Sequence, residues 1–372
     1  MRLTLALVLV CALWPAAVHA DDMDVTLSRF RIATRNSDGS AVADLPPGCS
    51  GTGENGLPRA YCPDADSWRR LTSQLGASLI PPVLAPARTV GYGGTQVAIE
   101  GWITGIDARE YWRVGTEGDE SAGAEGRNRF PDSTLIWSRV AIRKGFPFGF
   151  QLGTSFGHLF NTQMWAWGLE IQWALFEGYR TGIGVLPDIA VRGMVHTMTG
   201  DAEFNLTVPS VDVVISKPIT IAGTGTITPF VSGLISWIFA DSELVDLTPD
   251  IDAFAECQPS PTSTMTSCTR DATRDPPIAD GRMPGEDYNN NATFPQLRAT
   301  RMRLALGVQG RYEALTLTGS FQFDLSKPGN CRPYNADPDL YDDPDNVCDE
   351  RTDVPADLPR QWTVAFGAGL QF

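Results

Sequence analysis

The last stretch of the chain, "RQWTVAFGAGLQF" (residues 360–372), alternates without a break. Trp362, Val364, Phe366, Ala368, Leu370 and Phe372 form one row, and Gln361, Thr363, Ala365, Gly367, Gly369 and Gln371 form the other. A period of two puts the rows on opposite faces of a β-strand. The fold turns on whether the apolar row looks into a core or out into lipid.

Upstream segments repeat the pattern. In "RMRLALGVQGRY" (301–312), Met302, Leu304, Leu306, Val308 and Tyr312 oppose Arg301, Arg303, Gln309 and Arg311. "ALTLTGSFQFD" sets Leu315, Leu317, Phe321 and Phe323 against Thr316, Thr318, Ser320, Gln322 and Asp324, and "QMWAWGLEIQWAL" puts Trp165, Trp167, Leu169, Ile171, Trp173 and Leu175 on one face. A soluble sandwich also alternates. Here, however, the apolar face is almost wholly large or aromatic, and the connections alternate short and long. That combination belongs to a transmembrane antiparallel up-and-down β-barrel, apolar outside and polar inside.

Ten segments read as strands, near 89–106, 133–143, 147–157, 162–175, 186–198, 203–215, 225–240, 299–311, 314–324 and 361–372. Eight or twelve stay open, because the 203–225 region is irregular and Pro209 suggests a bulge. If the first strand runs outward, the long connections 107–132, 241–298 and 325–360 share the external side, and both termini fall on the other.

The first twenty residues have the layout of a secretory signal peptide, cleaved after Ala20. Cys11 raises a lipoprotein signal, but Val10 stands where such signals have a small residue. Residues 21–88 read as an N-terminal periplasmic segment and 89–372 as the barrel. Within the former, Trp68, Leu71, Leu75 and Leu79 predict a short amphipathic helix over 65–77, begun by Asp64 or Asp66 and ended by Pro81–Pro82. Its expected role is to pack against the end of the barrel, the alternative being a plug inside it.

The formal net charge of −15, about −16 once the signal's one Arg is removed, argues against nucleic acid as a partner. No stretch after the signal is long and apolar enough for a membrane helix. The most apolar run, "FVSGLISWIFA" (230–240), is broken by Ser and Gly. A membrane location therefore requires a closed barrel, since lipid tolerates no unpaired strand edge. Six cysteines follow Cys11 in three local pairs, expected as disulfides Cys49–Cys62, Cys257–Cys268 and Cys331–Cys348. Closing a loop of about 15 residues stabilises by roughly 3 kcal/mol on the chain-entropy model. Zinc is disfavoured by the absence of CxxC and of partnering histidines.

The C-terminal row of Trp362, Val364, Phe366, Leu370 and Phe372 resembles the closing strand of Gram-negative outer-membrane β-barrels, whose terminal Phe and alternating aromatics are read by the barrel-assembly machinery. "RKGFPFGFQLG" and "WALFEGY" are also similar to phrases in uncharacterised predicted outer-membrane proteins and bring no function with them. The resemblance implies the cell outer membrane as location, with its lipid and the assembly machinery as partners.

The inward rows carry Glu100, Arg139, Glu170, Gln172, Arg192, Asp212, Arg301, Arg303, Gln309, Arg311, Gln322 and Asp324. Ten strands make a narrow barrel, so these groups are expected to pair across the lumen. A two-residue turn at Tyr312–Glu313 would set Arg301 opposite Asp324 and Arg303 opposite Gln322. Such a lining serves as structural filling or as a path for a small solute. His158 and His196 lie near external strand ends, but no Asp-x-His pair or G-x-S-x-G motif accompanies them, so no enzyme, cofactor or catalytic residue is assigned. The acidic stretch 335–350, with Asp337, Asp339, Asp342, Asp343, Asp345 and Asp349, lacks the spacing of a calcium loop, and no metal is assigned. Two functions remain: a narrow porin-like channel or transporter for small solutes, or a non-conducting surface barrel acting through disulfide-tied loops as adhesin, receptor or structural element.

Overall fold

The computed structural model describes residues 22–36, 40–43, 45–46, 49–51, 59–118, 127–177, 186–221, 225–249, 290–334 and 346–372. The signal segment, the Cys257–Cys268 pair and most of the acidic stretch lie outside these residues.

The alternating segments form strands. At the N-terminal side come β1 (Arg31–Ala33) and β2 (Tyr61–Pro63), paired antiparallel, then helix α1 (Ala65–Leu79). The wall begins with β3 (Thr95–Gly105), a short helix α2 (Glu110–Gly115), and strands β4 (Thr134–Gly145), β5 (Phe150–Leu159), β6 (Trp165–Phe176), β7 (Asp188–Thr199) and β8 (Phe204–Ser216). After the short β9 (Ile219–Ile221) comes the long β10 (Gly225–Ser242). A small ribbon of β11 (Val245–Asp246) and β12 (Asn291–Ala292) precedes β13 (Leu297–Tyr312), β14 (Leu315–Asp324) and β15 (Trp362–Gln371).

Ten of these, β3 to β8, β10 and β13 to β15, pair antiparallel with their chain neighbours, and β15 returns to β3 to close the ring. At the closure Thr95 and Phe372 exchange backbone hydrogen bonds of 2.8 and 2.9 Å. The terminal Phe is thus the last rung of the ladder.

Outward rows are apolar and uncovered: Trp167 and Trp173 are 45% and 47% exposed and Phe366 is 61% exposed. Soluble monomers do not expose apolar surface on this scale. Phe160, Trp237 and Trp362 ring the loop end, and Phe146, Phe150, Trp173, Phe176 and Tyr312 ring the turn end, as two interfacial girdles. The chain is an outer-membrane β-barrel, and no helix among the described residues is long and apolar enough to cross a membrane.

Three local expectations are corrected. The first strand starts at Thr95, not near 89, because residues 89–94 still belong to the entering segment. Pro209 makes no bulge: it pairs with Val195 in register, and only its rungs to β10 are skipped, as the missing N–H requires. The one register shift in the wall lies between Ala174 and Phe176. Finally, the hairpin turn is Glu313–Ala314, which sets Arg303, not Arg301, opposite Asp324.

The largest departure concerns residues 22–88. Asp64 caps α1 by accepting from the Ser67 backbone N–H at 3.1 Å, and the helix stops just before Pro81–Pro82, as the sequence implies. The helix does not pack on the turn end of the barrel. It lies inside the wall, nearly every residue buried, against β8, β10 and β13. At Gly76 the contact is so close that a Cβ would stand 2.4 Å from Ile238 Cγ2. Gly76→Ala is therefore expected to destabilise the barrel by about 1–3 kcal/mol. Heat-modifiability on gels should show a lower melting temperature, restored when Ile238→Ala is added.

Candidate functional site

Since the outer wall meets lipid, any site lies in the lumen or at its two mouths. The lumen is built in two zones. Toward the loop end a set of apolar inward positions closes around α1: Trp102, Trp137, Met194, Leu206, Leu234 and Ile238 join Trp68, Leu71, Leu75 and Leu79 in one core. Trp102 and Trp137 stack at 5.8 Å, and their indole N–H groups reach the Ser78 carbonyl (2.8 Å) and hydroxyl (3.1 Å). The helix is thereby pinned at its C-terminal end. Arg301 donates to the Ser73 hydroxyl at 2.7 Å, and the Trp68 indole donates to the Pro295 carbonyl at 2.7 Å.

From Ile80 the chain runs on, still buried through Ala87, towards the turn end. Val83 and Ala87 pack on Ala174, Ala190, Val214, Phe230 and Ala305. Ala87 donates its N–H to Ser216 Oγ at 3.1 Å and accepts from Gln172 at 2.9 Å. Val90 then meets Gln151 and Gln371 at 3.0 Å each. The segment thus traverses the barrel before β3 begins.

Beside this thread lies a belt of buried charge. Glu100 accepts from Arg139 at 2.7 Å and from Arg143 at 2.6 Å, and Arg143 also reaches Glu170 at 3.4 Å. Arg192 holds Asp212 through two hydrogen bonds. Three arginines and three carboxylates make the belt neutral, which is what a buried ionic cluster requires. Asp324 takes both neighbours, Arg303 at 2.8 Å and Arg301 at 3.2 Å, so the expected Arg301–Asp324 pair forms diagonally despite the shifted register. Gln322 is buried as well. Gln309 and Arg311 instead face a cavity of about 320 Å³ at the turn-end mouth, with Arg88, Thr228 and Glu313.

Sequence reasoning missed Arg143, four residues after Arg139 on the same inward row, and the inward Trp102 and Trp137. His196 is buried in the belt rather than at a rim, its ring fitting only because the facing residue is Gly168, whose Cβ would stand 2.2 Å away. Nε2 of His196 lies 3.3 Å from Ser155 Oγ but also 3.0 Å from an Arg139 nitrogen. The guanidinium can only donate, so Nε2 is its acceptor and is not a base for the serine. His158 packs against Trp165 near the loop end, ring centroids 4.4 Å apart and tilted by 53°.

The loop-end mouth is roofed by the described residues of the 22–63 stretch and of the long connections. Cys49–Cys62 and Cys331–Cys348 form, with Cα separations of 5.7 and 5.1 Å. Met23, Thr26 and Leu27 donate their N–H groups to the Asn161 carbonyl, the Gly115 carbonyl and Glu203, respectively. Arg31 reaches the Leu247 carbonyl at 2.5 Å, and Arg69 of α1 the Cys348 carbonyl at 3.0 Å. Every long or short connection at this end touches the N-terminal segment.

No family model matches the chain, and no curated protein matches it. Among solved structures it is similar to the attachment protein Ail of Yersinia pestis in complex with a heparin analogue (10% identity, 76% of this chain, 100% of that chain, TM-score 0.24). It is also similar to the β domain of the Bordetella autotransporter BrkA (11%, 76% and 100%, 0.33) and to the translocator domain of the autotransporter NalP from Neisseria meningitidis (8%, 83% and 97%, 0.32). These likenesses are remote; the barrel is established by this chain's own closed strand order.

Two expectations follow from the geometry. Glu100→Gln leaves Arg139 and Arg143 buried without their carboxylate and is expected to cost about 3–5 kcal/mol, read as lost heat-resistance of the folded band. At the roof, burial pushes Asp201 up to about 7, and burial also raises Glu203 and Glu117. Groups that bind protons more tightly folded than unfolded add stability at low pH, and that stability is lost as pH rises through the folded value. The roof should therefore melt at a higher temperature at pH 5 than at pH 8, and Asp201→Asn should flatten that difference.

Proposed function

We propose that the protein is a non-conducting outer-membrane barrel whose work is done by the roof at its loop end. The observation that carries this reading is the occupied lumen. Helix α1 from Leu71 onward and residues 80–87 are buried without a break. A solute path would have to displace Trp68, Leu71, Leu75, Leu79 and Ile80 from a packed core, where each contributes about 1.5–3 kcal/mol of burial. It would also leave Arg301 without Ser73, and both indoles without Ser78. Unpaired buried donors of this kind each cost a further 1–3 kcal/mol or so.

The roof, by contrast, is built as a rigid platform. Cys49–Cys62 and the β1–β2 ribbon brace the N-terminal segment, Cys331–Cys348 and the β11–β12 ribbon brace two long connections, and Arg31, Ala60 and Arg69 join the segment to those connections through Leu247, Asn290 and Cys348. A surface that presents fixed side chains to a partner gains from such bracing, because less order has to be imposed on binding. An adhesive, receptor or purely structural role fits this form. Narrow solute transport is the second reading, favoured by the polar cavity under the plug at the turn-end mouth.

Conductance of the refolded mature protein in a planar bilayer separates the two. The intact protein is expected to be silent, and a variant lacking residues 22–88 to conduct. Steady conductance by the intact protein would reinstate transport.

A further inference from the structure

The turn end of the barrel carries the C-terminal residue: Phe372 bonds to Thr95 there, beside the β4–β5 turn whose Gly145 N–H bonds Gly94. The other end carries Asp22. Its carbonyl accepts from the Gly118 N–H at 2.9 Å, and the next residues run along the roof past Asn161, Gln163, Glu203 and Leu247. Between the two ends the chain has one route. The wall strands are hydrogen-bonded to one another all the way round, so residues 64–90 pass through the lumen and not between strands. The N-terminal residues and the C-terminal Phe372 therefore lie at opposite ends of the barrel.

We propose that residues 22–63 are displayed on the outer surface of the cell, having crossed the outer membrane inside their own barrel. The inference rests on the reading that the loop end faces outward, and reverses the sequence-based expectation of a periplasmic segment. It makes the N-terminal segment part of the surface that external partners meet. Asn36 and Ser40 in it are exposed, with the Asn36 amide bonded to the Ser40 hydroxyl at 2.9 Å.

The chain's lysines supply the test. There are three: Lys144 and Lys217 at the turn end and Lys327 at the loop end. Intact cells would be treated with an amine-reactive dextran too large to pass porins, and the labelled sites mapped by mass spectrometry. The measurement is made on the full-length protein and on two separate variants, Asn36→Lys and Ser40→Lys, each checked for a heat-modifiable folded band. The expected result is label on Lys327 and on the introduced lysine, to the same extent as after solubilisation, with Lys144 and Lys217 labelled only after solubilisation. Label on Lys327 with both introduced lysines silent until solubilisation would overturn the proposal and leave the orientation standing. Label on Lys144 and Lys217 in place of Lys327 would overturn the orientation itself, and the roof reading with it.

Discussion

A peptide group facing hydrocarbon must find its hydrogen-bond partner within the protein, and this requirement shapes the whole molecule. It forces the ten wall strands to close, β15 on β3 as well as β10 on β13. Closure fixes the apolar rows outward and leaves an interior too wide for side chains alone at its loop end. The chain fills that interior with its own earlier residues. The helix brings an apolar stripe to meet the inward Trp102, Trp137, Leu234 and Ile238, while further in the residues after the helix share the space with a belt of three arginines and three carboxylates. The plug is the second half of one packing problem, the wall being the first.

The alternating pattern made the wall legible. It identified the strand number, the lipid-facing rows and the closing strand, because a period of two reports directly which residues meet lipid. It also showed which charges face inward, Glu100, Arg139, Arg192 and Asp324 among them. The pairing of those charges was less legible: a one-residue difference in the placement of the β13–β14 turn shifted the register by two and moved Asp324 from Arg301 to Arg303, and alternation is blind to any register shift by an even number of residues.

The location of the helix was illegible to a reading of α1 alone, since an amphipathic helix carries no label for the surface it will meet. The signal lay in its partners. The run "FVSGLISWIFA" is apolar on both faces, where an aqueous lumen would call for a polar inner row; Leu234, Ile238 and Ala240 look inward and are buried. Met194, Met198, Leu206 and Val208 break the rule in the same way on β7 and β8. Strand halves that are apolar on the inside announce that something apolar is inside.

The Cys49–Cys62 bridge sits just beyond the outer end of α1. It closes a bulky ring of chain at one end of a thread whose other end is continuous with β3. The arrangement is that of an axle with a stopper: the segment can leave the barrel toward the turn end only if the ring opens or a seam in the wall parts. The N-terminal segment is therefore held by mechanical interlocking as well as by packing. Either the bridge closes after the segment has been threaded or the last seam of the wall seals around a segment already bridged, so one of these two events has to come last in assembly.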